Sequence, residues 1–241
     1  MGMFRVVASL ALTLALLTTG QNAHSEGRIA LIIGNGAYQS SSSLPNPPND
    51  AILVARTLRS LGFKVIVRIN AKRSEMVAAL SELSDNLDAM KGKGVGLVFY
   101  AGHGVQLNGR NYLIPVDAQI ESRRDVERKS IDVTSILSFM DFSGNLLNII
   151  ILDACRNNPF GRKTRSTKVG LARMNAPSGT LIAYATAPGE VAADGAGKNS
   201  PYTTALAKAM AQPGISVEKA FKLTRVSVMK ETNDMQVPWE S

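Results

Sequence analysis

The chain has 241 residues, of which 45% are apolar, and its formal net charge at pH 7 is +8. This length is enough for one domain with a substantial core and too short for two domains of ordinary size. Basic residues are scattered except at 156–173, and that segment lacks the interleaved aromatic residues and the motifs of nucleic-acid-binding proteins. We therefore expect no nucleic-acid partner.

The N-terminus has the layout of a secretory signal peptide. Arg5 precedes an apolar run at 6–17, and small residues follow at Ala23 and Ser25. The alternatives to a signal peptide are an N-terminal membrane anchor and a buried helix. A run of this length is too short to span a bilayer as a helix, which disfavours the anchor. We predict a signal at 1–25 that is cleaved after Ser25. The domain at 26–241 is then exported to the periplasm or secreted, without a stable membrane anchor.

Short apolar runs alternate with amphipathic stretches along the rest of the chain. This alternation is typical of a mostly parallel sheet of about five to six strands with helices on both faces. Asn108-Gly109 predicts a two-residue hairpin turn. The irregular stretches 156–178 and 186–200 are long for loops, and such loops are usually functional or disordered. Strands are predicted at 29–33, 63–68, 97–100, 147–152 and 180–184, and helices at 50–61, 72–90, 133–140, 202–211 and 216–230.

One thiol and one imidazole follow two of these predicted strands. Cys155 is the only cysteine, and of the two histidines only His103 lies outside the predicted signal, which contains His24. Each comes three residues after its strand ends, at Tyr100 and Leu152, and His103 precedes Cys155 by 52 positions. Ligands of open α/β sheets bind at the carboxyl ends of the strands. If the two strands are parallel neighbours, about 4.8 Å apart, the imidazole can reach the thiol.

A thiol beside an imidazole is suited to nucleophilic catalysis. A free thiol has a pKa of about 8.5, and a neighbouring imidazole favours the reactive thiolate. Gly102 and Gly104 flank His103 and allow the backbone to turn sharply and approach a substrate. The N–H groups of Gly104 and Cys155 are predicted to form an oxyanion hole, and His103 to protonate the leaving amine.

Each of these residues alone has a structural explanation, as a buried core thiol or a hydrogen-bonded imidazole. One cysteine and one histidine are too few for a structural zinc site, and the sequence has no HExxH motif. The glycine pairs at 34–36 and 195–197 lack the other residues of dinucleotide-binding and P-loop motifs, and no GxSxG elbow occurs. The joint placement of His103 and Cys155 favours catalysis.

These residues resemble the caspase and metacaspase clan of cysteine peptidases, and in particular its bacterial metacaspase-like members, the orthocaspases. The segment Asp153-Ala154-Cys155-Arg156-Asn157 occupies the place of the caspase cysteine motif, which has a histidine about 50 residues upstream. The resemblance extends from Arg28 to about Trp239 and includes the runs at 28–35, 45–51 and 199–206. It implies a caspase-like three-layer α/β/α sandwich and a cysteine endopeptidase that acts on protein or peptide substrates.

The resemblance also implies a substrate preference. Caspases have a glutamine two positions before the cysteine, where this chain has Asp153, as metacaspases do. A carboxylate in a desolvated pocket attracts Arg or Lys and repels Asp. Asp50 corresponds to a second pocket acid, although the helix dipole also explains an acid at a helix N-terminus. Metacaspases usually have a serine where this chain has Ala101, so the pocket lacks one hydroxyl. We still expect cleavage after Arg or Lys.

Members of this clan are often cut in the loop after the catalytic cysteine, which here is the basic segment 156–173. The resemblance therefore predicts self-cleavage between Arg162 and Lys168. Some metacaspases need calcium, but the chain has no EF-hand loop, and Glu121, Asp125 and Glu127 are spaced like residues of a solvated face. We expect no cofactor and no metal site. Calcium activation and dimerisation through a sheet edge both stay open at this point.

Two other functions are compatible with the sequence. A caspase-like domain can serve as a non-catalytic regulatory or binding module, but such proteins commonly lose one residue of the dyad, and this chain has both. A redox-sensing thiol is disfavoured because no second cysteine is present to resolve a sulfenic acid. The sequence thus favours the cysteine endopeptidase.

Overall fold

A computed structural model describes residues 27–154 and 170–241. The predicted signal at 1–25, Cys155 and most of the predicted self-cleavage segment lie outside the described residues. The strands are β1 (Arg28–Gly34), β2 (Lys64–Ile69), β3 (Val95–Ala101), β4 (Gly104–Leu107), β5 (Arg110–Leu113), β6 (Ile131–Asp132), β7 (Leu147–Asp153), β8 (Thr180–Tyr184) and β9 (Trp239–Glu240). The helices are α1 (Pro47–Ser60), α2 (Arg73–Ala89), α3 (Arg123–Lys129), α4 (Val133–Phe142), α5 (Pro201–Met210) and α6 (Val217–Glu231).

The described residues form a six-stranded main sheet in the order β2-β1-β3-β7-β8-β9. Five of these strands are parallel, and β9 pairs antiparallel with β8. The chain moves outward from β1 to β2 and then crosses back to β3. Because parallel crossover connections are right-handed, this reversal places α1 and α2 on opposite faces of the sheet. The predicted α/β/α sandwich around a mostly parallel sheet is confirmed.

The helices form two layers over the sheet. On one face α1 contacts α5, and α5 contacts α6; on the other face α2 contacts α4. The three central strands are buried along almost their whole length. Strands covered on both faces have continuous apolar sequences, which explains why these runs predicted the sheet correctly. Among the residues described here, no helix is long and apolar enough to cross a membrane.

A small antiparallel sheet, β4-β5-β6, lies beside the main one. Asn108 and Gly109 join β4 to β5, and both have positive φ angles, 54° and 78°. A two-residue hairpin turn of this kind requires that conformation, which asparagine and glycine tolerate best. β4 begins at Gly104, directly after His103. The predicted turn is therefore present, and the hairpin continues the chain from the candidate site.

Several element boundaries differ from the sequence-based prediction. Helix α1 begins three residues earlier than predicted, at Pro47, because proline fits the first turn of a helix. Helix α3 was not predicted because Val126 is its one buried residue, which leaves no apolar stripe. The two-residue strands β6 and β9 depend on pairing with β5 and β8 and have no sequence pattern of their own.

Candidate active site

The ends of β3 and β7 lie side by side at the carboxyl edge of the main sheet. Their parallel register pairs Tyr100 with Leu152 and Ala101 with Asp153. Just beyond this register, the Gly102 N–H donates to the Asp153 carbonyl over 3.3 Å. The strands that precede His103 and Cys155 are thus parallel neighbours, which is the condition that the sequence analysis set for the imidazole to reach the thiol. The described chain stops at Ala154, so the position of Cys155 itself lies outside it.

The glycines on both sides of His103 allow close contacts. A Cβ atom on Gly104 would lie 2.9 Å from the Ala154 carbonyl oxygen, which is closer than real side chains come. Gly102 has a φ of 151°, and a Cβ there would lie 2.5 Å from the Tyr38 hydroxyl. Larger residues at either position would therefore push apart the backbone around His103. Gly104 packs directly against the residue that precedes Cys155.

The His103 ring is almost fully buried, with 2% of the residue exposed. Its Nε2 lies 2.8 Å from the Ser42 carbonyl oxygen. Because a carbonyl oxygen can only accept, Nε2 holds a proton and donates this hydrogen bond. Nδ1 is then the basic nitrogen of the neutral ring. The Tyr38 ring packs against the imidazole with 4.4 Å between ring centroids.

Two tyrosine hydroxyls fix the main chain of His103. Tyr38 Oη accepts from the His103 N–H over 2.7 Å. Tyr100 Oη lies 2.8 Å from the His103 carbonyl oxygen and 2.9 Å from the Ile114 carbonyl oxygen. It donates its one proton to these two acceptors, which share it. Burial raises the pKa of Tyr100 well above its ordinary value, so this hydroxyl keeps its proton. Tyr38, Ser42 and Tyr100 were not predicted as site residues from the sequence, although Tyr100 was correctly placed near the end of its strand.

Asp153 is fully buried at the end of β7. Its Oδ2 accepts hydrogen bonds from Ser200 Oγ over 2.5 Å and from Thr203 Oγ1 over 2.9 Å. Within residues 27–154 and 170–241, no group donates to its buried Oδ1. A buried carboxylate oxygen without a donor is costly, and a cation placed there would offset that cost. The carboxylate is therefore suited to bind a positively charged group.

Asp50 is also fully buried, in the first turn of α1. Its Oδ1 accepts from the Ser200 N–H over 3.0 Å and from Asn199 Nδ2 over 2.9 Å. Ser200 therefore contacts Asp50 through its main chain and Asp153 through its hydroxyl, and it brings the two acids together. The run at 199–206 was part of the family resemblance, but nothing in its sequence revealed this contact to both acids.

Glu121 lies just before α3, and Asp125 and Glu127 lie within it. Asp125 accepts from Ser122 in a capping box and forms an ion pair with Lys129 over 2.8 Å. The Lys129 ammonium, followed by the Ser122 hydroxyl, lowers the pKa of the Asp125 carboxyl. In the described part of the chain, no three His, Cys, Asp or Glu residues group in a way that could hold a metal ion.

The fold is that of the caspase domain family. Residues 27–241 match the model of that family (Peptidase_C14, caspase domain), and the chain belongs to it. The predicted resemblance to the caspase and metacaspase clan is thereby confirmed at the level of the family.

Two curated relatives and one solved structure have related domains. The chain is 35% identical over 133 residues to the mucosa-associated lymphoid tissue lymphoma translocation protein 1 homolog of Mus musculus, and the Homo sapiens protein matches equally well. These matches cover 55% of this chain and 15% of each relative, so the chain spans a small part of their length. The crystal structure of the Drosophila initiator caspase Dronc has the same fold, with a TM-score of 0.62 at 15% identity. That match covers 88% of this chain and 78% of the Dronc chain.

Proposed function

We propose that the chain is a cysteine endopeptidase that cleaves after Arg or Lys, with His103 and Cys155 as its catalytic dyad. The observation that supports it most is the adjacency of the ends of β3 and β7, with Gly104 in contact with Ala154. This adjacency brings the histidine segment next to the residue that precedes the one cysteine of the chain. Membership of a peptidase family agrees with the proposal.

In the proposed reaction, the basic Nδ1 of His103 takes the proton of the Cys155 thiol. The resulting thiolate attacks the scissile carbonyl carbon, and the N–H groups of Gly104 and Cys155 stabilise the oxyanion. His103 then gives its proton to the leaving amine, which departs as the carbon–nitrogen bond breaks. Water, deprotonated by His103, hydrolyses the thioester and restores the free thiol. The Ser42 carbonyl stabilises the ring while it is positively charged.

Asp153 is the proposed anchor of the substrate cation. The support is its buried Oδ1, to which none of the described residues donates. An Arg guanidinium or a Lys ammonium placed there makes a charge-assisted hydrogen bond, whereas an Asp side chain would be repelled. Asp50 is the proposed second acid, since Ser200 links it to Asp153.

The dyad is tested with peptide reporters that end in Arg, Lys or Asp. The unsubstituted chain should cleave the Arg and Lys reporters and leave the Asp reporter intact. Cys155→Ala and His103→Ala should each lower kcat by at least about a thousandfold, because the nucleophile or its base is missing. Assays with a chelator and with added calcium measure whether calcium activates the peptidase, which the sequence left open. Equal hydrolysis by both variants and the unsubstituted chain would refute the dyad.

A thiol-reactive peptide with a basic residue separates the enzyme from the two other functions. An active dyad should be labelled at Cys155, and the labelling should require His103. A binding module without turnover would bind the peptide and show no hydrolysis. A redox sensor would show reversible oxidation of Cys155 that controls a partner, without peptidase activity.

A further inference from the structure

The main chain of Gly104, the proposed oxyanion donor, packs against two residues. One is Ala154, which precedes Cys155, and the other is Leu171, which is fully buried. A Cβ atom on Gly104 would lie 2.9 Å from the Ala154 carbonyl oxygen and 3.1 Å from Leu171 Cδ2, so both contacts are tight. The position of Gly104 relative to the N–H group of Cys155 therefore depends on this packing.

The Gly104 N–H is directed away from the neighbouring strand of the hairpin. The Ile114 N–H donates to the His103 carbonyl over 3.0 Å, and the next pair along the ladder is Gly104 with Leu113. Hydrogen-bonded and non-hydrogen-bonded pairs alternate in an antiparallel ladder, so Gly104 belongs to a non-hydrogen-bonded pair. Its N–H can then face a substrate oxygen, and the packing of the residue fixes that N–H more than the ladder does.

The segment that contains Leu171 is held by the side chain of Asn111. This asparagine is fully buried on β5. Its Oδ1 accepts from the Ala172 N–H and its Nδ2 donates to the Ala172 carbonyl, each over 2.7 Å. One amide thus satisfies both main-chain groups of Ala172, which are costly to leave unpaired when buried. Because Ala172 directly follows Leu171, these two bonds also fix where the Leu171 side chain lies.

We infer that Asn111 is a positioning residue for the oxyanion hole, because through Ala172 it keeps Leu171 against Gly104. This inference rests on the proposed peptidase reaction. When the thiolate sulfur bonds to the scissile carbonyl carbon, an electron pair of the C=O bond moves to the oxygen, and the Gly104 N–H stabilises it there. A donor that is displaced from this point stabilises the oxyanion less. The thiolate itself does not depend on that donor.

The test compares two reactions of Cys155 in Asn111→Ala. With iodoacetamide the thiolate sulfur displaces iodide, and no oxyanion forms. With a peptide aldehyde that ends in Arg, the sulfur bonds to the carbonyl carbon and the oxygen takes the electron pair, so this reaction needs the Gly104 N–H. The matched control is Asn148→Ala. Asn148 is also a buried asparagine whose amide bonds to a main-chain carbonyl, that of Met140 over 3.0 Å, but it lies at the start of β7, away from the site.

In Asn111→Ala the dissociation constant of the aldehyde should rise about tenfold or more, since loss of a whole oxyanion donor costs about 100-fold to 1000-fold in kcat. The value of kcat for an Arg reporter should fall by a similar factor, while KM changes by less than about threefold. The alkylation rate should stay within about twofold, because it depends on the thiolate alone. Asn148→Ala should match the unsubstituted chain in all of these, and thermal unfolding checks that each variant folds.

A second variant, Leu171→Val, removes the atom that contacts Gly104 and keeps both bonds of Asn111. It should weaken aldehyde binding without slowing alkylation, and unchanged aldehyde affinity in it would overturn the inference even if Asn111→Ala does not fold. Equal aldehyde affinity in Asn111→Ala and Asn148→Ala, or alkylation slowed as much as aldehyde binding is weakened, would also overturn it. An aldehyde adduct that depends on Asn111, in a chain that cleaves no reporter, would instead overturn the proposed peptidase and leave the inference standing.

Discussion

At the scale of single residues, His103 is held chiefly through its own peptide groups. Its N–H donates to Tyr38, its carbonyl accepts from Tyr100, and the ring donates to the Ser42 carbonyl. The sequence identified His103 because it follows a strand and is flanked by glycines. Tyr38 could not be identified in this way, because it lies 65 positions earlier in an irregular segment, where no periodic pattern predicts a contact.

Tyr38→Phe tests whether this hydroxyl matters for the proposed reaction. The substitution keeps the ring beside the imidazole but leaves the buried His103 N–H without its acceptor, at a cost of about 1–3 kcal/mol. If about 1.4 kcal/mol of this cost is added to the activation free energy of the reaction, kcat for an Arg reporter falls about tenfold. The matched control is Tyr112→Phe on β5. Tyr112 and Tyr38 belong to the same cluster of buried residues, which is separate from the main core. Equal kcat values for the two variants would contradict the role of Tyr38.

At the scale of elements, the N-terminus of α5 joins the two acids. Ser200 is the N-cap of α5, and its hydroxyl accepts from the Thr203 N–H over 2.9 Å while it donates to Asp153. One side chain thus ends the irregular segment, starts the helix and orients a carboxylate on β7. The contacts of Ser200 with both acids join β7, α1 and α5. They can therefore form only after these three elements have packed together in the folded domain.

Ser200→Ala should destabilise the fold more than the loss of a helix cap alone. Ser216 caps α6 in the same way, since its hydroxyl accepts from the Lys219 N–H, and it is exposed. We expect Ser216→Ala to lower the free energy of unfolding by about 1 kcal/mol. Ser200→Ala should lower it by about 2–3 kcal/mol, because Asp153 also loses a donor. Urea unfolding of both variants measures the difference, and equal losses would contradict the coupling of α5 to Asp153.

The loop after β7 is the proposed site of self-cleavage, although most of it lies outside the described residues. The prediction is that purified chain is cut between Arg162 and Lys168, because these basic side chains fit the proposed pocket and lie close to Cys155 in sequence. Intact mass of the unsubstituted chain and of Cys155→Ala, purified in parallel, measures the cut. Identical fragmentation of the two proteins would assign the cut to another peptidase.

The sequence predicted more of the fold than of the site. The parallel strands were predictable because burial on both faces demands continuous apolar runs. His103 was predictable because it follows a strand end, where open α/β sheets bind ligands, whereas Asp153 was predicted from the family resemblance. Asn199 and Ser200 were not, since their role depends on contacts 149 and 150 positions away in the chain. Such contacts depend on how the elements pack and leave no local pattern.

At the scale of the whole molecule, the caspase domain accounts for residues 27–241. The family match starts at residue 27, one residue beyond the first residue after the predicted signal at 1–25. The sheet and its two helix layers are formed by residues that follow the predicted signal, and the first strand, β1, begins at Arg28. Removal of the predicted signal would therefore leave every described strand and helix of the domain in place.

Export is tested by expression in a bacterium with a periplasm. We expect a mature protein that begins at Glu26 and is found in the periplasm or the medium, because the layout of 1–25 is that of a cleavable signal. N-terminal sequencing of the protein from each cell fraction identifies the cleavage site. The control is the double variant Leu10→Asp, Leu12→Asp, which interrupts the apolar run and should stay in the cytoplasm uncleaved. Uncleaved protein with an intact apolar run would refute the signal.

The hydrogen bond from His103 to the Ser42 carbonyl has an evolutionary consequence. Every amino acid has a main-chain carbonyl, so the identity of residue 42 can drift without loss of this partner for the imidazole. An insertion or deletion between β1 and α1 would instead move the carbonyl away from the ring. Among homologous sequences, the trace of this contact would be a constant spacing between β1 and α1, with little constraint on the letters inside it.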